Sequence, residues 1–161
     1  MATSTSLEQL KAACDAAHDK NLDSCSHAVW DVVRGMGFDE PYRQANELID
    51  HLSGAWKVVT VDEAHTLASG GVLVVGGLKA AGHGHVIVVY PGQKKARGGY
   101  EIFSKKAQKM ITLPGRGTYP LCMSTSLGSW PGAKSRGDKT VWDPWGDDAQ
   151  FDKVRFFTPK E

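Results

Sequence analysis

A cysteine can be a nucleophile and a histidine its base, and this sequence offers one of each in a setting that sharpens its chemistry. In Asp23-Ser24-Cys25-Ser26-His27-Ala28-Val29-Trp30, Asp23 or Ser24 can serve as a helix N-cap. Val29, Val32, Val33 and Met36 then follow at helical spacing until Gly35 and Gly37 end the run. Cys25 is thereby expected in the first turn, where free N–H groups and the positive end of the helix dipole favour a thiolate. Such surroundings can lower a cysteine pKa to about 3.5–7.5. The base is sought in Gly82-His83-Gly84-His85-Val86-Ile87-Val88-Val89-Tyr90, where a histidine opens an apolar run that reads as a buried strand. For acyl transfer, Cys25 would attack a carbonyl, His85 would take and return the proton, and the Cys25 N–H would hold the oxyanion.

Each of these residues also has a plainer reading. Taken alone, Cys25 fits a buried structural thiol; His85 at a strand end between glycine-freed turns moves the balance toward chemistry. His83 competes with His85, because at i and i+2 of one strand both imidazoles would share a face, as alternative bases or as a metal chelate. A zinc site finds no clear third ligand, with no HExxH, no paired CxxC and no HxE motif. His18, His27, His51 and His65 read as surface or structural histidines. A third polar group that orients His85 is left open between Ser124 and a backbone carbonyl near Cys122. No GxSxG elbow supports a serine hydrolase.

The elements that must position the pair follow from periodicity. Ser6 with Gln9 suggests a capping box, and Leu7, Leu10, Cys14 and Ala17 mark one face of a first helix ending near His18. Pro41 suits the first turn of a third helix carrying Ala45, Leu48, Ile49 and Leu52. A short extended piece over 56–59 and a short helix over 61–68 come next. Strands are expected over 71–76 and 86–90, a loop over 91–99, and a returning hairpin strand over 100–103. Further strands are expected over 119–124 and 154–158, with a long loop over 128–146 holding Trp130, Trp142 and Trp145. Helices first and strands afterwards predict an α+β class with an antiparallel sheet.

Composition narrows the partners. The chain of 161 residues, 41% apolar and 23% charged, suits one folded domain that buries roughly two thirds of its unfolded surface. A formal net charge of +1 gives no ground for nucleic acid or membrane as main partner. Lys94, Lys95, Arg97, Lys105, Lys106, Lys109 and Arg116 do cluster against one acid, Glu101. A solvated loop face explains them more simply than a patch for an acidic substrate. Met1-Ala2-Thr3-Ser4-Thr5-Ser6 lacks the basic start and apolar core of a secretory signal, so export would not be of that kind. The three cysteines leave room for a Cys14–Cys122 disulfide that would spare Cys25.

Asp23-Ser24-Cys25-Ser26, Val72-Leu73-Val74-Val75-Gly76-Gly77-Leu78, Gly84-His85-Val86-Ile87-Val88-Val89 and Tyr119-Pro120-Leu121-Cys122 together resemble the type VI secretion amidase effectors, within the NlpC/CHAP group of papain-like cysteine amidases. The resemblance runs from the first helix to the 119–124 strand. It departs at Ala28-Val29, where relatives often have Gly-Phe, and in an insertion over 93–117. It implies a papain-like α+β fold with N-terminal helices on an antiparallel sheet, in one amidase domain over 1–161. It further implies a peptidoglycan amidase that cuts the stem peptide between D-glutamate and meso-diaminopimelate and passes through the type VI apparatus into a rival's periplasm. A cognate immunity protein in the producer would block its groove. Carried over, Cys25 matches the nucleophile and His85 the base; Ser24, Ser26 and His83 are the expected groove wall. No cofactor or metal is expected. A housekeeping or phage wall hydrolase of the same fold, and a non-catalytic cell-wall binding module, are the alternatives.

Overall fold

The computed structural model describes residues 4–128 and 130–160. Residues 1–3 of the Met1–Ser6 stretch, and Ser129 of the expected 128–146 loop, lie outside the described residues.

Three helices come first: α1 (Ser4–Lys20), α2 (Cys25–Gly35) and α3 (Ala45–Ala55). After β1 (Lys57–Val59) and α4 (Val61–Ser69), the chain builds β2 (Val75–Leu78), β3 (His85–Arg97), β4 (Tyr100–Ser104), β5 (Lys109–Leu113) and β6 (Arg116–Ser124). A single 3₁₀ turn (Pro131–Ala133), β7 (Ser135–Thr140), α5 (Asp148–Phe151) and β8 (Arg155–Thr158) complete it. The main sheet has the order β1-β8-β2-β3-β6-β7, with every pairing antiparallel. The chain is α+β, as its order of helical and strand patterns predicts.

The alternation of β3 explains how both sheet faces are filled. Val86 and Val88 face Val29, Val32 and Val33 of α2 with Leu48 and Leu52 of α3, while Ile87 and Val89 face Ala64 and Ala68 of α4. All four β3 residues are fully buried, which fixes the strand's register, since a one-residue slip would exchange the two faces. Polar ties hold α1 to the far edge of the sheet: Arg136 grips Asp19 with two bonds of 3.0 Å, and the Tyr90 hydroxyl donates to Asp15 at 3.0 Å.

Several boundaries differ from the sequence reading. Ser6 lies inside α1 rather than at its N-cap position, and Gln9 donates to Gly35 O, 3.0 Å away, at the C-terminal end of α2. Pro41 precedes α3, which begins at Ala45. β2 starts at Val75 rather than Gly71, and its glycines are packing positions. A Cβ on Gly76 would fall 2.9 Å from the Phe156 ring, and one on Gly77 2.9 Å from Ile49. Of the expected loop over 91–99, residues 91–97 are the second half of β3 and only Gly98-Gly99 are irregular; Pro91-Gly92 sits in a bulged register against β6 that spares the ring a ladder bond. β4 does not return along β3 but pairs with β5 in a separate two-stranded sheet. β7, within the expected 128–146 loop, was hidden because Ser-Arg-Gly-Asp-Lys-Thr has no apolar alternation. Cys14 and Cys122 are buried free thiols, so they form no disulfide.

Candidate active site

The turn 21–24 and the end of β6 fix the start of α2. Ser24 is its N-cap, with extended backbone (φ −136°, ψ 101°) and a hydroxyl that accepts from His27 N at 3.4 Å. Asp23, the other sequence candidate, pairs instead with Lys134 at 3.2 Å, and Ser126 N donates to Leu22 O at 3.3 Å. These two ties bring the loop after β6 and the residue following the 3₁₀ turn against the N-terminus of α2. Cys25 thus opens the helix, half-buried, with its thiol facing backbone N–H groups of Val86, Ser26 and Cys25 itself. Burial nevertheless dominates and pushes the thiol up from its ordinary range, with those hydrogen bonds opposing. The N–H groups at the helix start thus favour the thiolate as expected, but burial outweighs them.

His85 is delivered by a clamped turn. Asn46 of α3 donates to Ala80 O at 2.9 Å and accepts from Ala80 N at 3.2 Å, pinning the approach to β3. Gly84 is required there: a Cβ would meet Asn46 Oδ1 and come within 2.8 Å of Leu78 O. Gly82 serves differently, with φ 81° in open space, a turn conformation that side chains resist. At the strand start, His85 Nε2 lies 2.9 Å from Ser124 Oγ. The Ser124 hydroxyl is buried and reaches Ala133 O at 3.3 Å. A hydroxyl has one proton, so donation to Ala133 O makes Ser124 the acceptor from an Nε2–H and leaves Nδ1 the unprotonated nitrogen. Of the two orienters the sequence offers, Ser124 is the one within hydrogen-bond distance of the ring, while Cys122 O accepts the Ser135 hydroxyl at 2.6 Å. The Trp145 ring stands edge-on to the imidazole at 5.3 Å between centroids. Burial lowers the His85 pKa from 6.5 to about 4, so the ring is neutral at neutral pH.

Both residues line one cleft of about 420 Å³, together with Ser24, Ser26, His83, Tyr42, Gln44 and Leu127. All the expected wall residues are there. Ser26 bonds the Tyr42 hydroxyl at 2.7 Å, and Tyr42 stacks on His27 at 4.1 Å, whose Nδ1 lies 2.6 Å from Ser24 Oγ. His83 departs from expectation in one respect: it lies in the turn before β3, so it does not share a strand face with His85. Among the described residues, no group of three or more His, Cys, Asp or Glu side chains is arranged to hold a metal ion. A larger groove of about 720 Å³ opens elsewhere, between residues such as Ser6, Phe38, Lys57 and Lys160, with no cysteine or histidine among its described lining residues. Sequence reasoning missed Tyr42 and Gln44, which precede α3 in an irregular stretch with no motif. Trp145 was visible only as one tryptophan of a long loop.

A thiol and a neutral imidazole lining one cleft, the latter held by a hydroxyl that reaches a carbonyl behind it, can perform nucleophilic acyl transfer. No family model matches the chain. It is 32% identical over 141 residues to the peptidoglycan amidase Tse1 of Pseudomonas aeruginosa, an alignment covering 83% of this chain and 78% of that protein. At that identity over most of both chains, this protein belongs to the family of that amidase, the type VI secretion amidase effectors.

Proposed function

We propose that the protein is a peptidoglycan amidase of the cysteine peptidase class, folded as one domain over 1–161, with Cys25 as nucleophile and His85 as general base. The observation that carries this reading is the placement of Cys25 at the N-terminus of α2 and of His85, tied to Ser124 at 2.9 Å, in the lining of the same cleft. As Sγ attacks the carbonyl carbon of the scissile amide, Nδ1 of His85 takes the thiol proton. The oxyanion is held by first-turn N–H groups, which have no carbonyl one turn back to bind. His85 then gives its proton to the leaving amine, and a thioester remains on Cys25. Water, deprotonated by His85, attacks the thioester; the stem-peptide carboxylate leaves and the thiol is restored.

The family supports a finer assignment: the bond between D-glutamate and meso-diaminopimelate, delivery by a type VI apparatus into a rival's periplasm, and a cognate immunity protein that blocks the cleft. Ser24, Ser26 and His83 then contact the stem peptide. No helix among the described residues is long and apolar enough to cross a membrane. The test is digestion of purified Gram-negative peptidoglycan by the parent and by Cys25→Ala, with products identified by mass. Released stem fragments from the parent alone support the amidase and name the bond. Equal cleavage by both proteins, or by neither, overturns it.

A further inference from the structure

The insertion over 93–117 has a fixed root and an unpartnered tip. At the root, the buried Asp143 carboxylate accepts Gly98 N at 2.9 Å and the Tyr100 hydroxyl at 2.7 Å. The buried Arg97 donates to Pro114 O at 2.7 Å and lies over the Trp142 ring at 4.2 Å. Beyond it, β4 and β5 pair only with each other, in register Phe103↔Met110. That cross-strand pair stands on the open face, with 57% and 56% of its surface exposed. The turn between the strands is closed by Ala107 N donating to Ser104 Oγ at 3.1 Å and by Gln108 Nε2 donating to Lys105 O at 2.6 Å.

The basic cluster divides accordingly. Lys94 is used by Asp62 at 3.2 Å, Lys95 by Asp138 O at 2.8 Å, and Arg97 by the root. The exposed side-chain cations of Lys105, Lys106, Lys109 and Arg116 have no partner among the described residues. A ligand for this tip must be anionic, with an apolar face about the width of two side chains. A second copy of the chain repeats the same positive charge, and a protein interface of ordinary size needs about 800 Å² per partner. Peptidoglycan has both features, sugar rings for an aromatic face and free carboxylates on its stem peptides. The root also adjoins the cleft's own support: a Cβ on Gly132 would lie 2.7 Å from the Tyr100 hydroxyl, and the next residue's carbonyl, Ala133 O, accepts Ser124. The hairpin root and the support of His85 thus meet at Gly132-Ala133.

We propose that the β4–β5 hairpin is a second docking arm for the peptidoglycan polymer: Phe103 and Met110 pack on a sugar ring, and Lys105, Lys106 and Lys109 pair with stem carboxylates. This rests on the amidase reading and adds to it a reason to work on the insoluble wall, because a tethered second contact raises the local substrate concentration.

The test uses the full chain with Cys25→Ala, so that binding is measured without cleavage. Its co-sedimentation with purified sacculi is compared with that of Phe103→Ser/Met110→Ser and of Lys105→Glu/Lys106→Glu/Lys109→Glu in the same background. The arm predicts binding that weakens with salt and falls at least about tenfold in each hairpin variant. With Cys25 intact, the same variants should cleave a soluble stem peptide at the parental rate and sacculi more slowly. Unchanged sacculus binding overturns the arm, as does binding lost to phosphatidylglycerol vesicles but kept for sacculi. Failure of the parent to cleave the soluble peptide would sink the amidase reading alone, since the sedimentation result does not depend on cleavage.

Discussion

Nε2 of His85 and Oγ of Ser124 stand 2.9 Å apart, and Ser124 in turn reaches Ala133 O at 3.3 Å. A serine held between a ring N–H and a carbonyl acts as a passive spacer that sets the imidazole tautomer; it carries no charge to stabilise an imidazolium. Ser124→Ala should therefore lower kcat on the order of tenfold, matching the roughly 1–1.5 kcal/mol of one neutral hydrogen bond, with KM little changed. Ser124→Thr, which keeps the hydroxyl, should recover most of the loss. Steady-state kinetics on a stem peptide decide it, and a kcat within twofold of the parent for the alanine variant would remove Ser124 from the mechanism.

The pH profile follows from the neutral resting pair. Burial brings His85 from 6.5 to about 4 and raises Cys25, so the acid limb of kcat/KM should fall near pH 4 rather than near 6.5. Trp145→Ala, by admitting water to the ring, should move that limb upward. The sign for stability is set by the unfolded chain, which binds the His85 proton below 6.5 while the folded protein does so only below about 4. Stability should thus fall with decreasing pH across that window, with no His85 contribution above it. Thermal denaturation of His85→Gln should show a flatter dependence between those limits. An unchanged slope would mean that His85 is hydrated in solution.

Asp143 gives a prediction of another kind. Besides Gly98 and Tyr100, its carboxylate accepts Thr140 N and Thr140 Oγ1, each at 2.9 Å. Burial and the neighbouring Asp143 push the Tyr100 hydroxyl far above the usual phenol range, so it remains a donor. Asp143→Ala orphans several buried donors at about 1–3 kcal/mol each. A net loss of about 3–5 kcal/mol and a Tm lower by roughly 10 °C are expected for a domain of this size. Asp143→Asn, which keeps one acceptor oxygen, should lose less. A Tm change under about 2 °C for the alanine variant would mean that water replaces the carboxylate at little cost.

The parts of the site governed by local rules were legible in the sequence. Ser24 and the spacing of Val29, Val32 and Val33 write the helix that presents Cys25, and the β-branched run after His85 writes its strand. Ser124 was visible as a candidate because its strand was. Contacts made across the fold were not. The Asn46 clamp joins residues 34 positions apart, and the Trp145 edge on His85 depends on a loop anchored through Asp143. Glycine misled in β2, where Gly76 and Gly77 make room for Phe156 and Ile49 within a strand. Polar β7 was invisible because its pairing with β6 asks nothing of side-chain hydrophobicity. The lowered pKa expected of a helix-start cysteine failed for a related reason: the local dipole could be read from sequence, but the burial that outweighs it could not.

The last strand of the main sheet has a bridging place in it. β8 lies between β1 and β2, pairing Val58 with Phe157 on one side and Val75 with Phe157 on the other. Strand β2 is the neighbour on which His85 is registered, through Leu78. β2, β3, β6 and β7 are paired with one another without β8, whereas β1 reaches the rest of the sheet through β8. β8 thus secures the outer edge of the sheet, and the cleft rests on the inner strands and on α2.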